Sequence, residues 1–116
     1  MRLPPRALTL NFTGWAFVGG WPLFTDNALS WQPGTVQCVS VDALPPELKY
    51  LSSGHVQVLL AQQCYQWGYR SVEHLIAKIH LKQEPKDVHD VSPLERVTRE
   101  NVEAYGRNWD TWLPKK

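Results

Sequence analysis

Polar and apolar residues alternate cleanly at the start of the chain. Leu8, Leu10 and Phe12 fall on one side and Thr9, Asn11 and Thr13 on the other. That period of two predicts a half-buried strand, extended beyond Gly14 by Trp15 to Val18. Gly19-Gly20 predicts a turn. The aromatic segment Trp21-Pro22-Leu23-Phe24 and the later Leu29 and Trp31 read as an irregular second strand, because Pro22 cannot donate to a ladder. Val36 to Val41 is rich in β-branched residues and predicts a third strand, closed by Asp42 and then by Leu44-Pro45-Pro46. Residues 46–51 read as a short turn.

The period then lengthens. From about Gly54 to Trp67, residues Val56, Leu59, Leu60, Gln63 and Trp67 follow helical spacing, with Ser52 and Ser53 available as caps and Gly68 as terminator. A second helix is expected from Ser71. Its stripe is Val72, Leu75, Ile76 and Ile79, and Pro85 sets its latest end. A third is expected from Ser92. Pro93 would be its first residue, Glu95 would complete a capping box, and Gly106 would end it after Tyr105.

Together these elements predict an α+β fold in two layers. A small antiparallel N-terminal sheet of about three strands packs against three C-terminal helices. The expected organisation is one domain over 1–116, with a strand-rich part at 1–45, a helical part at 52–105 and an aromatic tail at 106–116. A chain of 116 residues can bury a core without metals or disulfides.

Charge sharpens this division. Residues 1–70 carry only Arg2, Arg6, Asp26, Asp42, Glu47, Lys49 and Arg70, and the remaining charged residues all follow. The first part has little charge with which to cover itself. It is either the more buried part or the part that meets a partner, whereas the second reads as solvated helix surface. The net charge of +1 gives no overall attraction to nucleic acid. Interruptions at Thr9, Asn11 and Thr13 argue against a signal peptide, and no apolar run is long enough to span a membrane. The expected location is cytoplasmic.

Candidate chemistry is sparse. Cys38 and Cys64 each lie in an apolar run, which suits buried thiols better than a disulfide framework. Asp87, His89 and Asp90 are metal-ligand types, but they lack a matching set elsewhere and read as a solvated loop. No phosphate-binding glycine loop occurs. No metal or cofactor is expected, and no catalytic residue is assigned.

The tryptophans carry the functional expectation. Trp15, Trp21 and Trp31 cluster in the first part, and Trp109 and Trp112 lie in the tail. Tryptophan is enriched at contact hot spots. The favoured reading is a non-enzymatic protein–protein interaction module, such as an adaptor, inhibitor, regulator or assembly component. Its partner is another protein or a second copy in a homodimer. One alternative is a small enzyme using the cysteines and histidines. A second is a helix-turn-helix reader of nucleic acid using Arg70, Lys78 and Lys82, the weaker idea because those side chains make a poor set for base contacts.

Overall fold

The structure is a computed structural model, and it describes residues 14–114. The expected strand at residues 8–13 lies outside the described residues. The elements are β1 (Gly14–Phe17), a single 3₁₀ turn (Trp21–Phe24), β2 (Gln37–Val41), α1 (Pro45–Ser53), β3 (Val58–Ala61), α2 (Cys64–Ile79), β4 (Glu95–Val97) and α3 (Val102–Trp112).

The four strands form one sheet in the order β1-β2-β3-β4. The sheet is packed by helices in a two-layer α+β arrangement, as the sequence predicts. Strand direction is a correction: β1 pairs with β2, and β2 with β3, in parallel rather than antiparallel. The reason lies in the segments between them. Parallel neighbours require a crossover, and the stretch read as a 46–51 turn is the nine-residue helix α1, which supplies one between β2 and β3. Pro45 and Pro46 begin that helix instead of breaking the chain. Proline is tolerated in a first turn, where its missing N–H has no partner to lose. Gly54, at φ 83°, closes α1 and donates its N–H to Leu51.

The expected helix over 54–67 is also corrected. Its first half is β3, and its second half opens α2. Four apolar residues in a row, Val58 to Ala61, satisfy helical spacing and strand burial equally, so periodicity cannot separate the two. Gly68 lies inside α2 and does not end it. Ser71 is an interior residue whose hydroxyl donates to the carbonyl of Trp67 at 2.7 Å, not an N-cap. The third expected helix is replaced by β4 and the later α3. Glu95 starts a strand, so the capping box is not formed, and Gly106 is interior. The Trp21–Trp31 segment is a 3₁₀ turn and loop rather than a strand.

The described residues fall into two compact units. One comprises the chain up to Ala61 together with Arg96 onward, and the other is Gln62–Glu95. In the first unit the register sets Trp15 beside Cys38, Phe17 beside Ser40, and Ser40 beside Leu59. Cys38, Ser40, Leu59 and Ala61 are buried, whereas Val39, Val41, Val58 and Leu60 are only partly covered. Leu23, Tyr50, Leu51, Val56, Val97, Val102 and Tyr105 complete the core, and α1 packs against α3 and the 3₁₀ turn.

The second unit is built on α2, whose sixteen residues include none that is buried. Its return segment is tied to the helix by ion pairs. Asp90 Oδ2 meets Arg70 at 2.7 Å and His74 Nε2 at 3.0 Å, and Lys78 pairs with Glu84.

Candidate functional site

The first unit concentrates its unusual chemistry at the carboxyl ends of β1 and β2. Just past β1, the N–H of Gly20 donates to Asp42 Oδ2 at 3.2 Å. Asp42 itself follows β2 in a left-handed conformation, φ 78°. Five residues on, Glu47 is completely buried in the first turn of α1. Its Oε2 accepts the N–H of Leu44 at 2.7 Å, satisfying one of the free donors at the helix start. Its Oε1 has no hydrogen-bond partner among the described residues. Burial pushes the carboxyl up to about 7; the Leu44 N–H pulls it down and nearby Asp42 raises it further. Only glycine fits opposite, because a Cβ on Gly20 would lie 2.1 Å from Oε1. The carboxyl therefore lies close against the Gly20 backbone.

The tryptophans are distributed unevenly. Trp15, Trp31, Trp109 and Trp112 are partly buried and pack against the core. Trp15 stacks on Phe17, with ring centres 5.9 Å apart. Trp109 and Trp112 meet edge to face at 5.1 Å, and Trp112 meets Tyr105 in the same way at 6.0 Å. The Trp31 indole N–H is buried without a partner among the described residues. Trp21, at 63% exposure, and Trp67, on α2, are the exposed ones among the described residues, and the Trp21 ring lies against Gly19. Trp109 and Trp112 lie within α3.

Cys38 is buried and its thiol is pushed up to about 11 by desolvation, while Cys64 is exposed at the start of α2. The three cations assigned to nucleic acid do not form an open row. Arg70 and Lys78 are each matched by a carboxylate, and Lys82 sits beyond the helix in a left-handed conformation. Arg70, His74 and Lys78, but not Lys82, line an open groove of about 910 Å³ together with Glu84, Lys86, Asp87, His89 and Asp90. Among the described residues, no group of three or more His, Cys, Asp or Glu side chains could hold a metal ion.

An exposed apolar face on α2 was not among the expected contacts. Tyr65, Tyr69, Val72, Leu75, Ile76 and Ile79 lie along one face of α2, each between 48% and 59% exposed. Helical spacing places all six within a stripe about 120° wide. The sequence carries the signal. The stripe from Val72 to Ile79 continues back through Tyr69 and Tyr65 once the helix is allowed to pass through Gly68.

The class defined by this geometry is a small α+β unit with a parallel sheet core, and its fold resembles those of sugar-binding and regulatory proteins. A sugar ABC transporter (sugar-binding protein) from Bacillus halodurans is 25% identical with a TM-score of 0.61, over 82% of this chain and 37% of its own. A putative LacI transcriptional regulator from Bacteroides fragilis is also 25% identical with a TM-score of 0.57, over 61% of this chain and 24% of its own. A periplasmic ribose ABC transporter from Conexibacter woesei DSM 14684 is 18% identical with a TM-score of 0.59, over 70% and 28% respectively, a likeness of fold alone. The match spans between 24% and 37% of the length of those chains. No family model matches this sequence, and no curated protein matches it significantly. Among the described residues, no helix is long and apolar enough to cross a membrane.

Proposed function

We propose that the protein is a protein–protein interaction module that works through the apolar face of α2. The observation that carries this reading is the stripe of six large apolar side chains, all about half exposed on one sixteen-residue helix. Exposed apolar surface that is contiguous, and not scattered, marks contact sites. The charged residues Arg70, His74 and Lys78 are held on another side of the helix by Asp90 and Glu84, which leaves the stripe uncharged. Trp21, exposed on the first unit, is a second aromatic contact that the same reading uses.

The test is affinity capture from cell extract with the wild-type protein and with Leu75→Lys, beside sedimentation of each protein alone. The expected outcome is a defined complex, with itself or with a captured protein, that is lost in the variant. A wild type that remains alone under both conditions overturns the proposal.

A second reading is favoured by one observation, the 25% identical likeness to a sugar ABC transporter (sugar-binding protein). In open parallel sheets, ligands bind beyond the carboxyl ends of the strands, where Gly20 and Asp42 lie. This reading makes the first unit part of a binding site for a polyhydroxylated small molecule. Thermal unfolding with ribose present would show a rise in midpoint that Asp42→Asn removes; an unchanged midpoint rules the reading out.

A further inference from the structure

A self-complementary shape is built into the stripe on α2. Gly68 lies within it near the N-terminal end, and a Cβ added there would meet nothing within 4 Å. The glycine therefore leaves a notch in the apolar face. Near the other end stands Ile79, a branched side chain about half exposed. Between them, Val72 and Leu75 occupy the middle. When two such helices run antiparallel with Val72 opposite Leu75 of the second copy, each Ile79 falls opposite the other copy's Gly68. Bulk meets notch at both ends of one two-fold contact, which is the isologous arrangement expected of a homodimer. A parallel arrangement in register would put notch against notch and bulk against bulk.

Two further features favour this occupant. The six stripe side chains are all uncharged, so a symmetric pairing brings no like charges together across its centre, and antiparallel helices oppose their macrodipoles. The area is also sufficient. With each side chain about half exposed, the stripe offers roughly 600 Å² per copy, so a pair covers about 1,200 Å², the lower end of specific stable interfaces.

We propose that the apolar stripe of α2 is a homodimer contact, in which two copies pair antiparallel with Ile79 seated at Gly68. This rests on the interaction reading above and names the partner of the same surface.

Sedimentation equilibrium across concentration tests it on the full chain. The wild type is expected to move reversibly between 13.3 kDa and twice that mass. Leu75→Lys should weaken pairing by more than about tenfold, because the symmetric contact then holds two ammonium groups. Leucine and lysine have similar helix propensity and Leu75 is exposed, so far-UV circular dichroism of dilute protein should be unchanged. Gln66→Lys, which adds the same charge off the stripe, should pair like the wild type. A wild type that is monomeric throughout overturns the proposal, as does a dimer indifferent to Leu75→Lys. A monomer that still captures another protein from extract through α2 would overturn this inference and leave the interaction reading standing.

Discussion

The indole N–H of Trp109 donates to the backbone carbonyl of Ala43 at 3.1 Å, fastening α3 to the segment just after β2. Trp109→Phe keeps most of the ring and removes the donor. The carbonyl of buried Ala43 then loses its indole partner, at an expected cost of about 1–2 kcal/mol. Urea unfolding of the variant should show a lower midpoint with an unchanged slope.

Glu47 makes stability depend on pH in an unusual direction. Its folded value is about 7 against an ordinary 4.5. Below 4.5 the group is protonated in both states and its contribution is fully present. As pH rises from 4.5 to 7, the unfolded chain releases the proton while the folded chain retains it, so stability falls. The loss is complete above about 7 and amounts to about 3 kcal/mol at most. Glu47→Gln keeps the size and an acceptor for the Leu44 N–H but cannot ionise. Denaturation midpoints measured from pH 4 to 9 should decline for the wild type and lie flatter for the variant.

Gly20→Ala tests the tight contact itself. The backbone at Gly20 has φ −76°, which alanine tolerates, so the penalty is steric. The new methyl would lie 2.1 Å from Glu47 Oε1 and 2.9 Å from the Asp42 Cβ. Overpacking of this kind costs about 1–3 kcal/mol. A thermal midpoint equal to the wild type's would contradict the packing described.

The two cysteines should separate by reactivity. Cys64 is exposed, whereas Cys38 is buried and desolvated with its thiol near 11. Alkylation of the native protein at pH 8, followed by mass spectrometry of peptides, should label Cys64 quickly and Cys38 only on unfolding.

Some of this was legible in the sequence. Gly14–Phe17 and Gln37–Val41 are strands where β-branched and alternating residues predict them, and a sheet layered with helices follows from the same pattern. The direction of pairing was not legible, because it depends on whether Pro45-Pro46 stops a chain or starts a helix, and proline does both. Val58 to Ala61 misled for a different reason: a strand of four apolar residues has too few positions to display a period. Gly68 and Gly106 suggested helix ends, yet glycine inside a helix costs only about 1 kcal/mol and longer stretches absorb it. Of the aromatic residues singled out, Trp109 shows why the candidate site was hard to see. Its ring lies partly in the core while its N–H serves the backbone, and the sequence does not distinguish that role from a contact surface. The tyrosines at 65 and 69 became visible only once α2 was continuous.

The discontinuity of the first unit has a consequence for synthesis. Leu51 and Leu59 share a core with Val97, Val102 and Tyr105, residues added only after Gln62–Glu95 has been made. At ordinary translation rates, the intervening 34 residues take roughly 2–7 s to emerge. For that interval the early strands have no closing layer from α3. Nascent chains halted before residue 97 should remain protease-sensitive and recruit holding chaperones, whereas those extended past residue 112, with the ribosome tunnel cleared, should not.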